Sequence, residues 1–251
     1  MENYSFLFSE LVKRDFKKKY KSTVLGFLWS VLSPLLSLLV MRLVFTQLFG
    51  RDTPHYTTYL FAGNLLFSFF TDATGGGMTA FLYNGGILTK LPVPKTLFLL
   101  SRSVTSLINL SLNLLVFFLF ALLDGIRLSG RLFLLVYPVL MLTLFAVGVS
   151  LVLATAFVHF RDTQYLWGVF TTLLSYLSVI FYRVDAFPAE LRSLFLLNPV
   201  YCAIRYVREV VIDAVVPSGL LHLLLLLYAA IALGVGTLVY RKRRDELAFY
   251  L

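Results

Sequence analysis

Residues able to do chemistry are few in this chain, and they are scattered. His55, His159 and His222 lie far apart, and none has neighbours at metal-ligand spacing. Cys202 is the sole cysteine, so the chain can form neither an internal disulfide nor a zinc cluster. The Gly-Lys dipeptide is absent, and with it any P-loop that would cradle nucleotide phosphates. Neither a His-Glu-x-x-His nor a Gly-x-Ser-x-Gly segment occurs. The triplet Gly75-Gly76-Gly77 sits late in an apolar run, where it suits close helix packing better than phosphate binding. Catalytic and metal-ligating residues are therefore not expected. What stands out instead is charge in apolar surroundings: Arg42, Asp72 and Arg102. Such a charge costs about 2.5–3.5 kcal/mol on insertion scales, so each should face a cavity, snorkel or find a partner. By depth, Asp72 and Arg102 are expected to pair. This is the chemistry of holding something polar within a membrane, rather than of making or breaking bonds.

The elements around these residues must then be membrane elements. Of 251 residues, 59% are hydrophobic and only 14% charged, with a mean hydropathy of +0.84. A soluble domain carries about 25% charged residues. Six apolar stretches, near 24–49, 58–82, 97–123, 132–157, 166–182 and 219–240, approach or exceed the ~20 residues that a spanning helix needs. The first is too long for a signal-peptide core and has no small-residue cleavage site. The net charge of +9 gathers beside these stretches rather than decorating a soluble fold, which argues against nucleic acid as a partner. With six spans both termini share a side. That side carries the basic residues before the first span, Lys90, Lys95, Arg161 and the Arg241–Arg244 tail, so it is expected to be cytoplasmic.

Two segments outside the spans have a pattern of their own. In residues 1–22, Tyr4, Phe8, Leu11, Val12, Phe16 and Tyr20 recur at helical spacing between Lys13, Arg14, Lys17, Lys18 and Lys21. That is a basic amphipathic helix suited to lying in the headgroup plane. The loop 183–217 is too long for a connector, and Arg205, Arg208, Glu209 and Asp213 interrupt its second apolar piece. Tyr201, Ile204, Val207 and Val211 fall on one helical face there. A pair of short helices dipping into the outer leaflet fits, and re-entrant backbone of that kind borders a pathway. Aromatics make up 16% of the chain. Phe27, Trp29, Tyr59, Phe170 and Tyr176 are candidates to line a sugar pathway, with an interfacial belt as the plainer explanation for the tryptophans. The expected fold is an all-α membrane protein: one transmembrane domain over 1–251 with six transmembrane helices, an N-terminal amphipathic interface helix and a re-entrant extracytoplasmic helical hairpin before the last span.

The order of signals along the chain resembles the membrane subunits of ABC exporters for polysaccharides and polyol phosphates, the O-antigen, capsule and teichoic-acid type. A basic helix is followed by Lys19-Tyr20, Leu25-Gly26, Trp29 and Pro34; then come the segment Asn84–Ser101, Phe160-Arg161-Asp162, and Asn198-Pro199 with Arg205 and Arg208. Leu91-Pro92-Val93-Pro94 departs from the family, which often has an aromatic before the proline. The resemblance implies a homodimer in which each copy docks one cytosolic ATP-binding cassette subunit. ATP and magnesium would sit on that partner, and no cofactor on this chain. It further implies that 84–95, with Asn84, Leu88, Lys90, Pro92, Pro94 and Lys95, couples ATPase closure to the spans. The first and fifth spans would frame the pathway. The hairpin 183–217, with Asn198, Pro199, Tyr201, Arg205 and Arg208, would be the external gate. The cargo would be a lipid-linked glycan carried out across the plasma membrane. Rival readings are an ABC exporter of drugs or other small molecules, an ion-coupled secondary transporter, which would want paired broken helices, and an enzyme of lipid-linked sugars, which would want clustered carboxylates.

Overall fold

The computed structural model describes residues 2–20, 25–49, 55–90, 93–127, 129–244 and 246–250; the side chains of 2, 3, 19, 20, 27, 46–49, 248 and 249 lie outside the description. The chain is helical in order: α1 (Glu2–Tyr20), α2 (Trp29–Phe49), α3 (Tyr56–Tyr83), the single turn α4 (Gly85–Leu88), α5 (Thr96–Leu123), α6 (Val136–His159), α7 (Thr163–Leu177), the single turn α8 (Ala189–Arg192), α9 (Pro199–Val211), α10 (Gly219–Arg243) and the single turn α11 (Leu247–Tyr250). Each of the six apolar stretches lies mostly on a helix among the described residues. Among the described residues three, Thr96–Leu123, Gly130–His159 and Gly219–Arg243, are long and apolar enough to cross a membrane, and Trp29–Phe45 is a shorter apolar helix. The expected count of six crossings therefore does not follow from length and composition alone. α3 has 28 residues, but Thr57, Thr58, Asn64, Ser68, Thr71, Asp72 and Thr74 dilute its apolar surface.

The fifth stretch departs from the expected 166–182. α7 begins at Thr163 and ends at Leu177, because Val179 takes a left-handed φ of 53°, a conformation costly for a β-branched residue. The turn aims the carbonyls of Val179 and Ile180 at Arg208, which repays them.

α3, α5 and α6 pack side by side, and α10 lies along α6. Within a bilayer the driving force for such pairs is close packing rather than water exclusion. Gly148 of α6 and Gly236 of α10 meet there: a Cβ at Gly148 would overlap the backbone of Ala232 and Leu233, and one at Gly236 the Gly148 carbonyl. Of the glycine triplet, Gly77 has the packing role, since its Cβ would overlap the Ser150 side chain; Gly75 faces open space. Phe61, Phe70, Phe117 and Tyr206 are fully buried in the main core. A smaller cluster joins Leu11, Phe81, Leu88, Phe98 and Leu247 at the end of the bundle that carries the termini. α7 differs from its neighbours in having no buried residue.

Candidate functional site

Three arrangements bring polar groups together in this apolar bundle. The largest is a cleft of about 640 Å3 between α2, α3 and α5. From α2 it is lined by Trp29, Ser30, Ser33, Pro34, Ser37 and Met41; from α3 by Phe61, Asn64, Leu65, Ser68, Phe69, Thr71 and Asp72; from α5 by Ser106, Asn109, Leu110 and Asn113. Its volume lies in the range of about 300–1,000 Å3 typical of ligand sites. Helical periodicity builds it. Ser30, Ser33 and Ser37, then Asn64, Ser68 and Thr71, then Ser106, Asn109 and Asn113 are each spaced three and four residues apart, so each trio shares a helix face. Ser68 and Asp72 are exposed within it, so the cleft is open along its length. Pro34 lies inside α2 at the cleft wall, where it has no N–H to give to the helix ladder.

The cleft runs into a smaller cavity of about 330 Å3, with Asp72, Ser106 and Asn109 common to both. Asp15, Lys18, Tyr83 and Arg102 are among the other residues of the smaller one, and it marks where α1 docks. Asp15 is 1% exposed. It accepts hydrogen bonds from Arg14 Nη2 at 2.8 Å and Ser101 Oγ at 3.0 Å, and Arg102 Nε stands 3.4 Å away. The expected pairing of Arg102 with Asp72 is thus corrected. The carboxylate at Arg102 is Asp15, which arrives from an element distant in sequence, although Asp72 and Arg102 do line one cavity. The face of α1 turned to the protein, Leu11 and Asp15 with Phe8, Val12 and Phe16 partly covered, includes this carboxylate. Tyr4 of the expected apolar stripe is exposed. Lys13, Lys17 and Lys18 are exposed and Arg14 half-buried; Lys21 lies outside the described residues.

The third arrangement is at the opposite end, under the 183–217 hairpin. Here the short helices anticipated from sequence are present as α8, a 3-10 turn over Ser193–Leu197, and α9. Asn198 caps α9, accepting from the backbone N–H of Val200 at 3.0 Å and of Tyr201 at 3.3 Å, with Pro199 at the first helical position. Its amide also donates to Ser178 Oγ at 3.0 Å, tying α9 to the end of α7. Tyr201, Ile204, Val207 and Val211 are buried as their shared face required, but so are Cys202, Ala203, Tyr206 and Arg208. α9 is wedged among α3, α6 and α10 rather than resting on a surface.

Arg208, 6% exposed, is the centre of this region. Its guanidinium donates to the carbonyls of Tyr59 at 3.0 Å, Val179 at 2.8 Å and Ile180 at 3.1 Å, and lies 3.4 Å from the centroid of the Tyr59 ring. Planar forks with five donors suit such a cage of acceptors. Gly63 leaves the room, since a Cβ there would stand 2.8 Å from Arg208 Nη2. Beside it lies a cavity of about 600 Å3 lined by Tyr59, Tyr201, Arg183, Asp185, Arg192, Arg205, Glu209 and Asp213 among others. Arg205 pairs with Glu209 at 2.7 Å and Arg183 with Asp185 at 2.8 Å. Burial, with the Glu209 carboxylate alongside, pushes the Asp213 carboxyl above the ordinary carboxylate range.

The five aromatic candidates do not assemble into one pathway within the chain. Trp29 stands at the rim of the α2–α3–α5 cleft. Tyr59 belongs to the hairpin cavity, its hydroxyl donating to the Tyr182 carbonyl at 2.7 Å. Phe170 and Tyr176 are exposed on α7, Phe170 stacking on Trp167. The Phe27 side chain is outside the described residues.

Between α3 and α5, Asn84 is buried and donates to the Ala80 carbonyl at 2.7 Å, and Leu88 is buried in the smaller core cluster. Ile87, Thr89 and Lys90 face outward, as does Pro94. Lys95 reaches the Arg244 carbonyl at 3.1 Å. Pro92 lies outside the described residues.

Apolar helices long enough to cross a bilayer, with polar clefts cut into them, mark a multi-pass membrane protein. A sequence model of the ABC-2 type transporter family matches residues 7–212, and the chain belongs to that family. It is 28% identical over 247 residues to the O-antigen export system permease protein RfbA of Myxococcus xanthus, covering 98% of this chain and 95% of that protein. It is 22% identical over 240 residues to the polysialic acid transport protein KpsM of Escherichia coli, covering 94% and 93%. With the capsule polysaccharide export inner-membrane protein CtrC of Neisseria meningitidis it shares 22% over 192 residues, or 75% and 72%.

Proposed function

We propose that this chain is the membrane-embedded permease subunit of an ATP-driven exporter that carries a lipid-linked polysaccharide out across the plasma membrane. The observation that carries the reading is a likeness over nearly the whole chain, end to end, to permeases of O-antigen and capsule export. Energy comes from a separate cytosolic ATP-binding cassette subunit holding ATP and magnesium, a reading that the family membership supports. Two copies of each subunit make the complex. Both termini are cytoplasmic, consistent with the basic residues on α1 and the Arg241–Arg244 tail.

In this reading, ATP binding closes the two ATPases, and the outward residues of α4 receive the movement. Leu88 and Asn84 hold that turn to the bundle, so a push on Ile87 or Lys90 reaches α3 and α5 together. The 183–217 hairpin closes the far side, with Arg208 as its anchor. Polymer moves by weak, repeated contacts that allow entry and release.

The test is isolation of the chain from native membranes in mild detergent, with mass spectrometry of its companions. An ATP-binding subunit at about one-to-one, with co-purifying glycolipid, supports the reading. A chain that comes down alone, under conditions that preserve other membrane complexes, would overturn it.

A further inference from the structure

We propose that the cleft between α2, α3 and α5 is a binding site for neutral sugar units, taking the polyhydroxylated part of the substrate rather than its lipid or phosphate part; this rests on the reading above that the cargo is a lipid-linked glycan. The first argument is the chemistry of the wall. Hydroxyls from Ser33, Ser37 and Ser68 and amides from Asn64 and Asn113 offer both donors and acceptors, which is what a ring of alternating sugar hydroxyls requires. Trp29, 38% exposed at the rim, provides a flat face for sugar C–H groups.

The second argument is depth and cost. The cleft occupies the middle of α3 and α5 and the first part of α2, and polar groups in the middle of such helices are expensive unless something satisfies them. A helical Ser or Thr can satisfy itself on the carbonyl one turn back, as Thr71 does with Phe67 at 3.1 Å. An amide cannot do so fully. Asn113 donates to the Asn109 carbonyl at 2.9 Å, yet its own side-chain carbonyl is buried at the cleft without a hydrogen bond among the described residues. It is an acceptor suited to a ligand hydroxyl.

The third argument is charge. Among the described lining residues of the cleft the only ionisable group is Asp72. No Lys, Arg or His stands among those lining residues to pair with a phosphate. The cations Lys18 and Arg102 lie further along, in the adjoining cavity toward α1. The two cavities together form a tract graded from ionic near α1 to neutral polar.

The experiment uses the full-length chain in the cells that make it, with the photoreactive residue benzoylphenylalanine placed either at Ser37, in the cleft, or at Leu43, on the same helix and 77% exposed outside it. After illumination the purified chain is oxidised with periodate, which marks vicinal diols, and stained for glycan. We expect glycan-bearing adducts from Ser37 and at most a trace from Leu43. Replacing the amides by an apolar residue of similar size, Asn64→Leu with Asn113→Leu, favours membrane insertion and keeps the fold measurable. That double variant should reach the membrane normally, retain its ATPase partner, and lower surface glycan about tenfold, the loss expected from one or two hydrogen bonds. Sugar-free adducts from Ser37, or full export by the double variant, would overturn the proposal. If deleting the chain abolishes surface glycan while Ser37 adducts stay sugar-free, the cleft assignment alone fails. If deletion leaves all surface glycan in place, the exporter reading fails and takes the cleft with it.

Discussion

Arg208 compensates for its burial by collecting three backbone carbonyls, two of which exist as acceptors only because α7 stops at a left-handed Val179. The side chain and the helix end therefore depend on each other. Arg208→Lys keeps the charge but replaces a planar fork by a single ammonium, which cannot reach Tyr59, Val179 and Ile180 together. The orphaned carbonyls should cost about 2–4 kcal/mol, read as a lower melting temperature of the purified chain in detergent. An unchanged melting temperature would show that the cage contributes nothing to stability. Sequence marked Arg208 as an interruption in an apolar piece, but it could not reveal the cage, because backbone acceptors carry no residue signature. The same blindness hid Asp15. It reads as one more charge on a basic surface helix, while its partners Ser101 and Arg102 lie 86 residues away or more.

At the scale of elements, the single turn α4 separates two duties among adjacent residues. Leu88 points into the core, whereas Ile87 and Lys90 face out. Ile87→Asp should leave membrane level and folding unchanged and weaken retention of the ATPase subunit in pull-downs, by about tenfold if Ile87 fills a pocket on the partner. Leu88→Asp should instead reduce the amount of folded chain. Equal retention by Ile87→Asp and the parent would remove α4 from the contact. The helices themselves were legible because hydropathy accumulates over twenty residues and tolerates local exceptions. The α2–α3–α5 cleft was not read, although its signal was present. Its serines and asparagines are individually unremarkable, and only their shared three-and-four spacing on three separate helices gives them a common face. Aromatic residues drew the attention instead, and in this bundle most of them serve as packing or lie on outer surfaces.

For the whole molecule, α7 raises the question of what covers it. Its apolar residues Leu166, Val169, Phe170, Leu173 and Tyr176 stay exposed among the described residues. Lipid would satisfy them, and so would a second copy, which the exporter reading requires. Leu173→Cys distinguishes these cleanly, because Cys202 is fully buried and gives no background. A bifunctional thiol reagent should convert the Leu173→Cys chain in native membranes to a covalent dimer, and a variant that stays monomeric at every reagent length would place α7 against lipid. The glycine contact of α6 with α10 has the opposite character. Two backbones in direct touch cannot slide or tilt against each other without losing the whole of their packing, so this pair behaves as a stator. In the exporter reading proposed above, Gly148 and Gly236 would be the fixed frame against which the other helices swing.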